Sequence, residues 1–153
     1  PNCWQALYSK AVHMHFSNYW DPQTRLDEAI SLFDRVLELN PNCGNAYAYR
    51  AFYKAKAKRA GVESDLDMAL SLMPKSVLAH QLKGYFYLSK KKFNQAESEF
   101  SIAILHSRNT PDTTKYYLVE NRAYSRVMQD KTDLALQDIR LSKNLGSENP
   151  WVS

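Results

Sequence analysis

The stretch Leu78 to Ile104, LAHQLKGYFYLSKKKFNQAESEFSIAI, decides the fold of the chain. Its second half places Ala96, Phe100 and Ala103 four and three residues apart, and this spacing puts all three on one face of a helix. Its first half holds Gly84 inside an aromatic run, although glycine within a helix costs about 1 kcal/mol relative to alanine. The stretch therefore predicts helices, with another backbone very close at Gly84.

The composition is that of one globular, helical domain. The 153 residues are 44% hydrophobic and 24% charged, which suits a packed core and not a disordered chain. Only four glycines occur, which argues against a β-sandwich or barrel with many tight turns. The net charge of +4 allows an acidic partner but does not require nucleic acid.

Cysteine use and hydropathy predict a soluble, cytoplasmic protein in a reducing compartment. The two cysteines, Cys3 and Cys43, are too few for a disulfide framework. The sequence has neither an apolar run of about 18 residues nor a basic-then-apolar start, so we expect no association with a membrane. Because the chain begins at Pro1, we expect a processed chain or a segment of a larger protein.

The same pattern recurs along the chain when the sequence is compared with itself. The upstream steps are 33 or 34 residues long, and the downstream step is 39 residues long. Phe100 aligns with Phe33, Leu66 and Ile139; Ala96 with Ala29, Val62 and Ala135; Ala103 with Val36, Ala69 and Ser142; and Gly84 with Ala51 and Ala123. A period of this length is typical of stacked helical repeats.

These residues resemble the tetratricopeptide repeat (TPR) family, whose pattern of about 34 residues is W-x2-L-G-x2-Y, then A-x3-F, then A and P. The third unit matches best, with Gly84, Tyr87, Ala96, Phe100 and Ala103 in place. The first unit is about nine residues longer around HFSNYWDPQ, the second lacks one residue, and the fourth has no aromatic at the phenylalanine position.

The resemblance implies an all-α, right-handed α-solenoid of four antiparallel helix hairpins. It covers the chain as a single domain over 1–153, with repeats at 3–41, 42–74, 75–110 and 111–150. The predicted helices span 3–16, 22–39, 45–59, 62–72, 77–90, 93–107, 112–129 and 131–145. Asp21 is the predicted N-cap of the second helix, Pro22 is its first residue, and Gly146 ends the eighth.

The resemblance also implies a binding groove, because in the family the first helix of each hairpin lines a concave surface. The corresponding residues here are Gln5, Ser9, His13, Ala48, Phe52, Lys56, Gln81, Tyr85, Leu88, Ser89, Tyr117, Glu120, Tyr124 and Met128. This groove would suit an extended peptide or a helix of another protein, so the predicted function is that of an adaptor or scaffold. The alternative is that some of these aromatics only pack between neighbouring helices.

Two other functions stay open. The first is structural self-association, because no polar capping helix follows the eighth helix and that helix carries more apolar residues than one neighbour can cover. These residues are Leu134, Leu136, Ile139, Leu141 and Leu145. We expect a homo-oligomer through the fourth repeat, or cover from NPWVS with Trp151 folded over the helix.

The second is a co-chaperone. One subset of the family binds acidic chaperone tails through a clamp of lysine, arginine and asparagine, and Asn121-Arg122-Ala123 resembles one element of this clamp. The rest of the clamp is absent, since Gln81 and Tyr85 stand where lysine and asparagine are needed.

No arrangement of residues supports catalysis, a metal site or a cofactor site. His13 and His15 are two residues apart, so on a helix they point away from each other and do not form a metal pair. His80 and His106 stand alone in their helices and suit packing or surface positions. We therefore predict that the protein is not an enzyme and needs no cofactor.

The charged segments suit solvent-exposed positions. Glu63, Asp65 and Asp67 are interpreted as a solvated helix face. The basic runs Lys54–Arg59 and Lys90–Lys92 fall where the two helices of a hairpin meet, and the usual meaning is a solubilising edge. An acidic partner or nucleic acid is the alternative, but no stacking aromatics are interleaved with these lysines, so nucleic acid is not the predicted partner.

Overall fold

The computed structural model describes residues 3–13 and 22–146, and these residues form eight α-helices. They are α1 (Cys3–His13), α2 (Pro22–Leu39), α3 (Gly44–Lys56), α4 (Val62–Leu72), α5 (Val77–Ser89), α6 (Phe93–His106), α7 (Asp112–Val127) and α8 (Thr132–Gly146). This part of the chain contains no strand, and a short 3₁₀ turn over Ser107–Asn109 follows α6. The predicted all-α class is confirmed.

The predicted helix bounds are close to those observed. The helices α2 and α4 have the predicted bounds, and α2 begins at Pro22, where a missing backbone N–H costs nothing. The largest differences are early ends, since α3 stops at Lys56 and α7 stops at Val127. The predicted N-cap Asp21 and the first helix beyond His13 lie outside the described residues.

The turn between the two helices of a hairpin explains the early ends. Lys58, Lys91 and Asp130 have positive φ values of 54°, 57° and 58°, and they occupy the same repeat position in three hairpins. A left-handed residue reverses the chain within a few residues, because it ends the helical hydrogen bonding at once. The backbone conformation of the turn therefore recurs in three hairpins, although none of these three residues is glycine.

The chain divides into two compact units, and the division falls between the second and third predicted repeats. Unit 1 spans Pro1–Pro74 and holds α1 to α4, and unit 2 spans Lys75–Ser153 and holds α5 to α8. Within each unit every helix packs against the next one along the chain. Each unit is thus a pair of helix hairpins with a core of its own.

The core of unit 1 contains the predicted repeat residues and an aromatic cluster. Phe33 is fully buried, and its ring stacks on Tyr49 with centroids 5.8 Å apart. Tyr8 meets the edges of both rings at 6.1 Å. Burial, with the neighbouring Tyr49 and Cys43, raises the pKa of Tyr8 to about 12. The aromatic residues of this unit therefore stabilise its interior.

The close approach predicted at Gly84 occurs in unit 2, but the neighbour is a ring and not a backbone. A Cβ atom on Gly84 would lie 2.7 Å from two ring carbons of Phe100, nearer than side-chain carbons normally come. Phe100, Ala96 and Ala103 are fully buried on the facing side of α6. Glycine is needed in α5 because the Phe100 ring occupies the space that a side chain would fill.

Three hairpins carry an ion pair at matching positions. The pairs are Arg50–Asp65 at 2.9 Å, Lys83–Glu99 at 3.7 Å and Arg122–Asp138 at 3.0 Å. The cations step by 33 and 39 residues and the carboxylates by 34 and 39, as the repeat does. Each pair joins the first helix of a hairpin to the second, so these charges hold the hairpin closed.

The interpretation of Asp65 as part of a solvated face is therefore wrong. Asp65 is only 4% exposed. Its carboxylate accepts hydrogen bonds from Arg50 and forms an ion pair with Lys54 at 2.9 Å. A carboxylate with two cationic partners can be buried because the pairing offsets its loss of water. Glu63 and Asp67 are exposed, as predicted.

The fourth hairpin departs from the repeat in α8. Ile139, the predicted counterpart of Phe100, is 37% exposed, so it does not fill the hairpin core. Ala135, Asp138 and Ser142 are the buried residues of this helix. The neighbouring Asp138 is buried, like the matching Asp65, because Arg122 and Arg126 from α7 both bind its carboxylate.

Candidate functional site

Twelve of the predicted groove residues, a mixed set of polar and apolar side chains, are at least partly exposed. Unit 1 holds Gln5, Ser9, His13, Phe52 and Lys56, and unit 2 holds Gln81, Tyr85, Ser89, Tyr117, Glu120, Tyr124 and Met128. Ala48, predicted with them, is fully buried in α3 and cannot line a surface. Leu88 is half-buried and packs against the core of unit 2.

The predicted residues of unit 1 form a mainly polar surface. Gln5, Ser9 and His13 are exposed along α1 at intervals of four residues. In α3 the Lys56 Nζ atom lies 5.6 Å from the centre of the half-exposed Phe52 ring. This surface offers one aromatic ring, and a lysine already covers part of it.

Unit 2 presents a different surface, which we name the tyrosine face: Gln81 and Tyr85 of α5 with Tyr117, Asn121 and Tyr124 of α7. Tyr117 and Tyr124 are each 52% exposed, and Tyr85 is 37% exposed. The spacings of four residues in α5, and of four and three in α7, keep each set on one side of its helix. The three rings offer a large aromatic area to a ligand.

A hydrogen-bond network links the two helices of the tyrosine face. The Tyr85 oxygen accepts hydrogen bonds from Gln81 Nε2 at 3.3 Å and from Asn121 Nδ2 at 3.4 Å. Asn121 Nδ2 also donates to the Tyr117 carbonyl at 2.6 Å. Because both lone pairs of the Tyr85 oxygen are used, its own O–H is left to donate outward.

Asn121 was missed as a groove residue. The prediction placed it only in a clamp for acidic tails, but its amide nitrogen connects Tyr85 to α7 and its Oδ1 accepts nothing from the described residues. The face thus has an O–H donor beside an amide acceptor, which matches the C=O and N–H of a peptide backbone. The signal in the sequence was its place between Tyr117 and Tyr124 at helical spacing.

Each tyrosine ring rests on another ring. Tyr85 meets Phe100 edge-on with centroids 5.6 Å apart, and Tyr124 meets Phe93 at 6.3 Å. These contacts fix the rings while leaving part of each ring exposed, so packing and surface exposure occur together. The alternative that these aromatics only pack between helices therefore accounts for the ring contacts but not for the exposed part of each ring.

Acidic and polar groups border the tyrosine face. The Tyr116 hydroxyl donates to Glu120 at 2.6 Å, and this hydrogen bond is the main cause that raises the pKa of Tyr116. Glu120 itself is exposed, as is Met128 at 47%. Ser89 donates to the Phe86 carbonyl at 2.7 Å, which uses its hydroxyl proton within α5.

The arginine of the clamp proposed for acidic tails is already bound to a carboxylate within the hairpin. Arg122 donates two hydrogen bonds to Asp138, at 3.0 Å and 2.6 Å, and its side chain is only 16% exposed. A cation that already has a buried carboxylate partner is not available to an acidic ligand. Of the proposed clamp element, Asn121 and Arg122 are both partly buried and Ala123 is buried.

The basic runs are partly internal. In the first run Lys54 pairs with Asp65, and Arg59 pairs with Asp27 at 3.1 Å. In the second run, Lys90 Nζ lies 5.7 Å from the Phe86 ring centre and Lys92 Nζ lies 5.8 Å from the Tyr87 centre. Rings from neighbouring helical positions therefore lie beside several of these lysines, although no aromatic residue is interleaved with them in the sequence.

The histidines take the packing and surface positions predicted for them. His80 is 7% exposed, and its Nδ1 lies 2.7 Å from Glu99. His13 is exposed at the end of α1, while His15 lies outside the described residues. Across residues 3–13 and 22–146, no three potential metal ligands meet. None of the eight described helices is long and apolar enough to span a membrane.

Comparison with known proteins identifies the fold. No family model matches the chain, and no curated protein is significantly similar to it. Two solved structures of MamA, a TPR-like protein, match this chain at 17% sequence identity. Each alignment covers 97% of this chain and 78% of the MamA chain. They are a MamA RS-1 ArsTM double mutant, with a TM-score of 0.77, and MamA 41-end from Desulfovibrio magneticus RS-1, at 0.76. The likeness shows a TPR-like helical repeat fold and nothing further.

Proposed function

We propose that this protein is an interaction module, an adaptor or scaffold, that binds an extended peptide of a partner protein on the tyrosine face of unit 2. The TPR-like fold supports an interaction role, because it is a fold used for protein binding and not for catalysis. The observation that carries the proposal is the Tyr85 hydroxyl, whose two lone pairs are used by Gln81 and Asn121.

The chemistry of the face suits a peptide better than a small molecule. Tyr117 and Tyr124 supply broad, flat area with few rotatable bonds to immobilise. The Tyr85 O–H and the Asn121 Oδ1 supply one donor and one acceptor for a backbone amide. The recognised segment therefore places an apolar side chain on the rings and one peptide group over Tyr85 and Asn121.

A displayed library of random peptides, selected on the purified protein, tests this proposal. We expect the selected peptides to lose about 0.5–1.5 kcal/mol of binding free energy to Tyr85→Phe, because that change removes one hydroxyl and keeps the ring. Met68→Ala, at an exposed position of α4 in unit 1, is the matched control and should leave binding unchanged. Peptides that bind Tyr85→Phe as tightly as the parent would exclude the Tyr85 contact.

Self-association is the second candidate function, and the surface of α8 favours it. Leu136 and Ile139 are three residues apart on one flank of this helix and are 46% and 37% exposed. Sedimentation of the parent should show a mass that rises with concentration, and Leu136→Gln with Ile139→Gln should abolish the rise. A mass that stays monomeric at every concentration removes this candidate.

A further inference from the structure

The helix α8 exposes a set of four side chains that shares no residue with the tyrosine face. Leu136, Ile139, Arg140 and Lys143 follow one another at offsets of three, four and seven residues from the first, so they lie on one face of the helix. All four are exposed, Leu136 at 46% and Ile139 at 37%. We name this set the α8 stripe.

The counterparts of the α8 stripe in earlier hairpins receive the next helix of the chain. In α2 they are Ile30, Phe33, Asp34 and Leu37, and in α6 they are Glu97, Phe100, Ser101 and Ile104. The helix α3 packs on α2, and α7 packs on α6. Asp34 pairs with Arg50 of α3 at 2.7 Å, and Glu97 pairs with Arg126 of α7 at 2.9 Å. The stripe is therefore the surface on which one hairpin stacks against the next.

The α8 stripe has no such neighbour within residues 3–13 and 22–146. Only α7 packs extensively on α8 there, and the buried residues Ala135, Asp138 and Ser142 lie on a different face from the stripe. The predicted cover from NPWVS lies outside the described residues. A helix laid on the α8 stripe would repeat the contact that α3 makes with α2, so the shape of this surface suits a helix.

The charges of the α8 stripe define which kind of helix fits. Arg140 occupies the position of Asp34 in α2, and Leu136 occupies the position of Glu97 in α6, so no carboxylate is present to receive an arginine. Arg140 and Lys143 are exposed instead, and neither forms an ion pair with another described residue. A complementary helix therefore carries carboxylates beside its apolar residues.

We propose that the α8 stripe binds an acidic amphipathic helix of a partner protein. Its apolar side chains would contact Leu136 and Ile139, and its carboxylates would lie beside Arg140 and Lys143. An amphipathic helix on an apolar surface is a common mode of recognition between proteins. The tyrosine face is proposed to take an extended peptide, so the two surfaces would allow one module to hold two different partners.

A second copy of this chain suits the α8 stripe less well. Two α8 helices facing each other would bring Arg140 and Lys143 of both copies together, and like charges at an interface repel. The first helix, α1, contains no carboxylate, and its basic side chains are Lys10 and His13. Self-association through Leu136 and Ile139 is the competing occupancy that the experiment separates.

Two designed peptides test the proposal on the full chain. Each is an amphipathic helix of about 18 residues, or five turns, with the same stripe of leucines, flanked by glutamates in one peptide and by lysines in the other. Isothermal titration calorimetry should show binding of the glutamate helix, and added salt should weaken it. The lysine helix should bind about tenfold more weakly or less, because its charges would face Arg140 and Lys143.

Charge reversal on the protein should reverse this preference. Arg140→Glu with Lys143→Glu should weaken binding of the glutamate helix about tenfold and strengthen binding of the lysine helix. Lys58→Glu with Lys75→Glu reverses two charges at exposed positions outside α8 and should change neither affinity. Far-UV circular dichroism confirms that each variant is folded, and a gain in binding cannot come from a variant that has unfolded.

Two further variants identify the surface. Leu136→Gln with Ile139→Gln should abolish binding of the glutamate helix, whereas Tyr85→Ala with Tyr124→Ala should leave it unchanged, which separates this surface from the tyrosine face. Failure of the parent to bind either helix would overturn the proposal, as would equal binding of both. A parent dimer that depends on Leu136 and Ile139 and excludes the glutamate helix would overturn it too, because the occupant would then be a second copy.

Discussion

The two units have similar helix-pair cores and very different surfaces. Among the described residues, two large apolar side chains are exposed in unit 1 and ten in unit 2. Unit 1 exposes Leu39 and Met68, and unit 2 exposes Tyr85, Leu105, Tyr117, Tyr124, Val127, Met128, Leu134, Leu136, Ile139 and Leu141. Single exposed apolar residues are ordinary, whereas a dense set marks a surface that meets something else.

The aromatic residues show the difference most clearly. In unit 1 the buried Phe33 ring stacks on Tyr49 and packs with Tyr8. In unit 2 the rings of Tyr117 and Tyr124 are half in solvent. The same residue types therefore stabilise the interior of one unit and are accessible to a ligand in the other, so recognition is expected of unit 2.

The largest effect is expected where the units are alike, at their buried ion pairs. Asp65→Ala removes the buried carboxylate that Arg50 and Lys54 share and leaves Arg50 with Asp34, and Asp138→Ala removes the one that Arg122 and Arg126 share and leaves Arg126 with Glu97. We expect a loss of about 3–5 kcal/mol of unfolding free energy for each, measured by urea denaturation. Asp133→Ala, at an exposed carboxylate in the first turn of α8, is the control. A much smaller loss for only one aspartate would show that the two cores are held differently.

The next effect concerns the core of unit 2. Gly84→Leu should cost about 1–3 kcal/mol or more, because the new side chain would collide with the Phe100 ring. Lys91→Leu, at the exposed turn of the same hairpin, should cost little. Lysine and leucine at this position are equally strained by the positive φ. Equal thermal melts for the two variants would show that α5 and α6 are paired in another register.

The turns should respond identically in both units. Lys58→Gly in unit 1 and Lys91→Gly in unit 2 each relieve a left-handed backbone that costs a side-chain-bearing residue about 1 kcal/mol. A small rise in melting temperature is expected from each change. A fall in either unit would mean that the lysine side chain contributes more than its backbone conformation costs.

The smallest effect is the pH dependence that Glu97 of α6 gives to unit 2. Burial raises the pKa of Glu97, but hydrogen bonds from Lys131, Arg126 and Gln129 lower it by more, so its pKa lies below the ordinary value of 4.5. A depressed pKa means that Glu97 stabilises the fold above about pH 4.5 and that this contribution is lost as the pH falls through the lower folded pKa.

Glu97→Gln provides the measurement. The difference in unfolding free energy between the parent and this variant should be largest near neutral pH and should shrink as the pH falls below 4.5. A difference that stays constant with pH would show that Glu97 is not held as a carboxylate by its three partners.

The sequence predicted the helices and most of the core because repeat spacing is local information. The spacing of Ala96, Phe100 and Ala103 indicates one helix face. Their counterparts in the other hairpins lie at the same spacing. Ile139 differs from its counterparts because it is 37% exposed, whereas Leu66 and Phe100 are buried beside the matching ion pairs of their own hairpins. A single aligned position does not reveal such a change in burial.

The site was only partly predictable, since it depends on contacts between helices. Tyr85 and Tyr124 follow from repeat positions, but the role of Asn121 requires knowing that its amide reaches Tyr85 across two helices. Asp65 was misinterpreted for a similar reason, because a carboxylate in a charged segment resembles a solvated one until its partner helix is placed. The matching offsets of Arg50, Lys83 and Arg122 were the signal available in the sequence.

Unit 2 is proposed to bind through its tyrosine face, and the sharpest test is the affinity of a selected peptide for two sets of variants. Tyr85→Ala with Tyr124→Ala should weaken binding by about 2 kcal/mol or more while helical content and melting temperature stay near those of the parent. Reversing Lys56, Lys58 and Lys91 to glutamate should leave affinity nearly unchanged, and added salt should have little effect. Binding that survives the tyrosine pair and is lost only with the lysines would contradict the account.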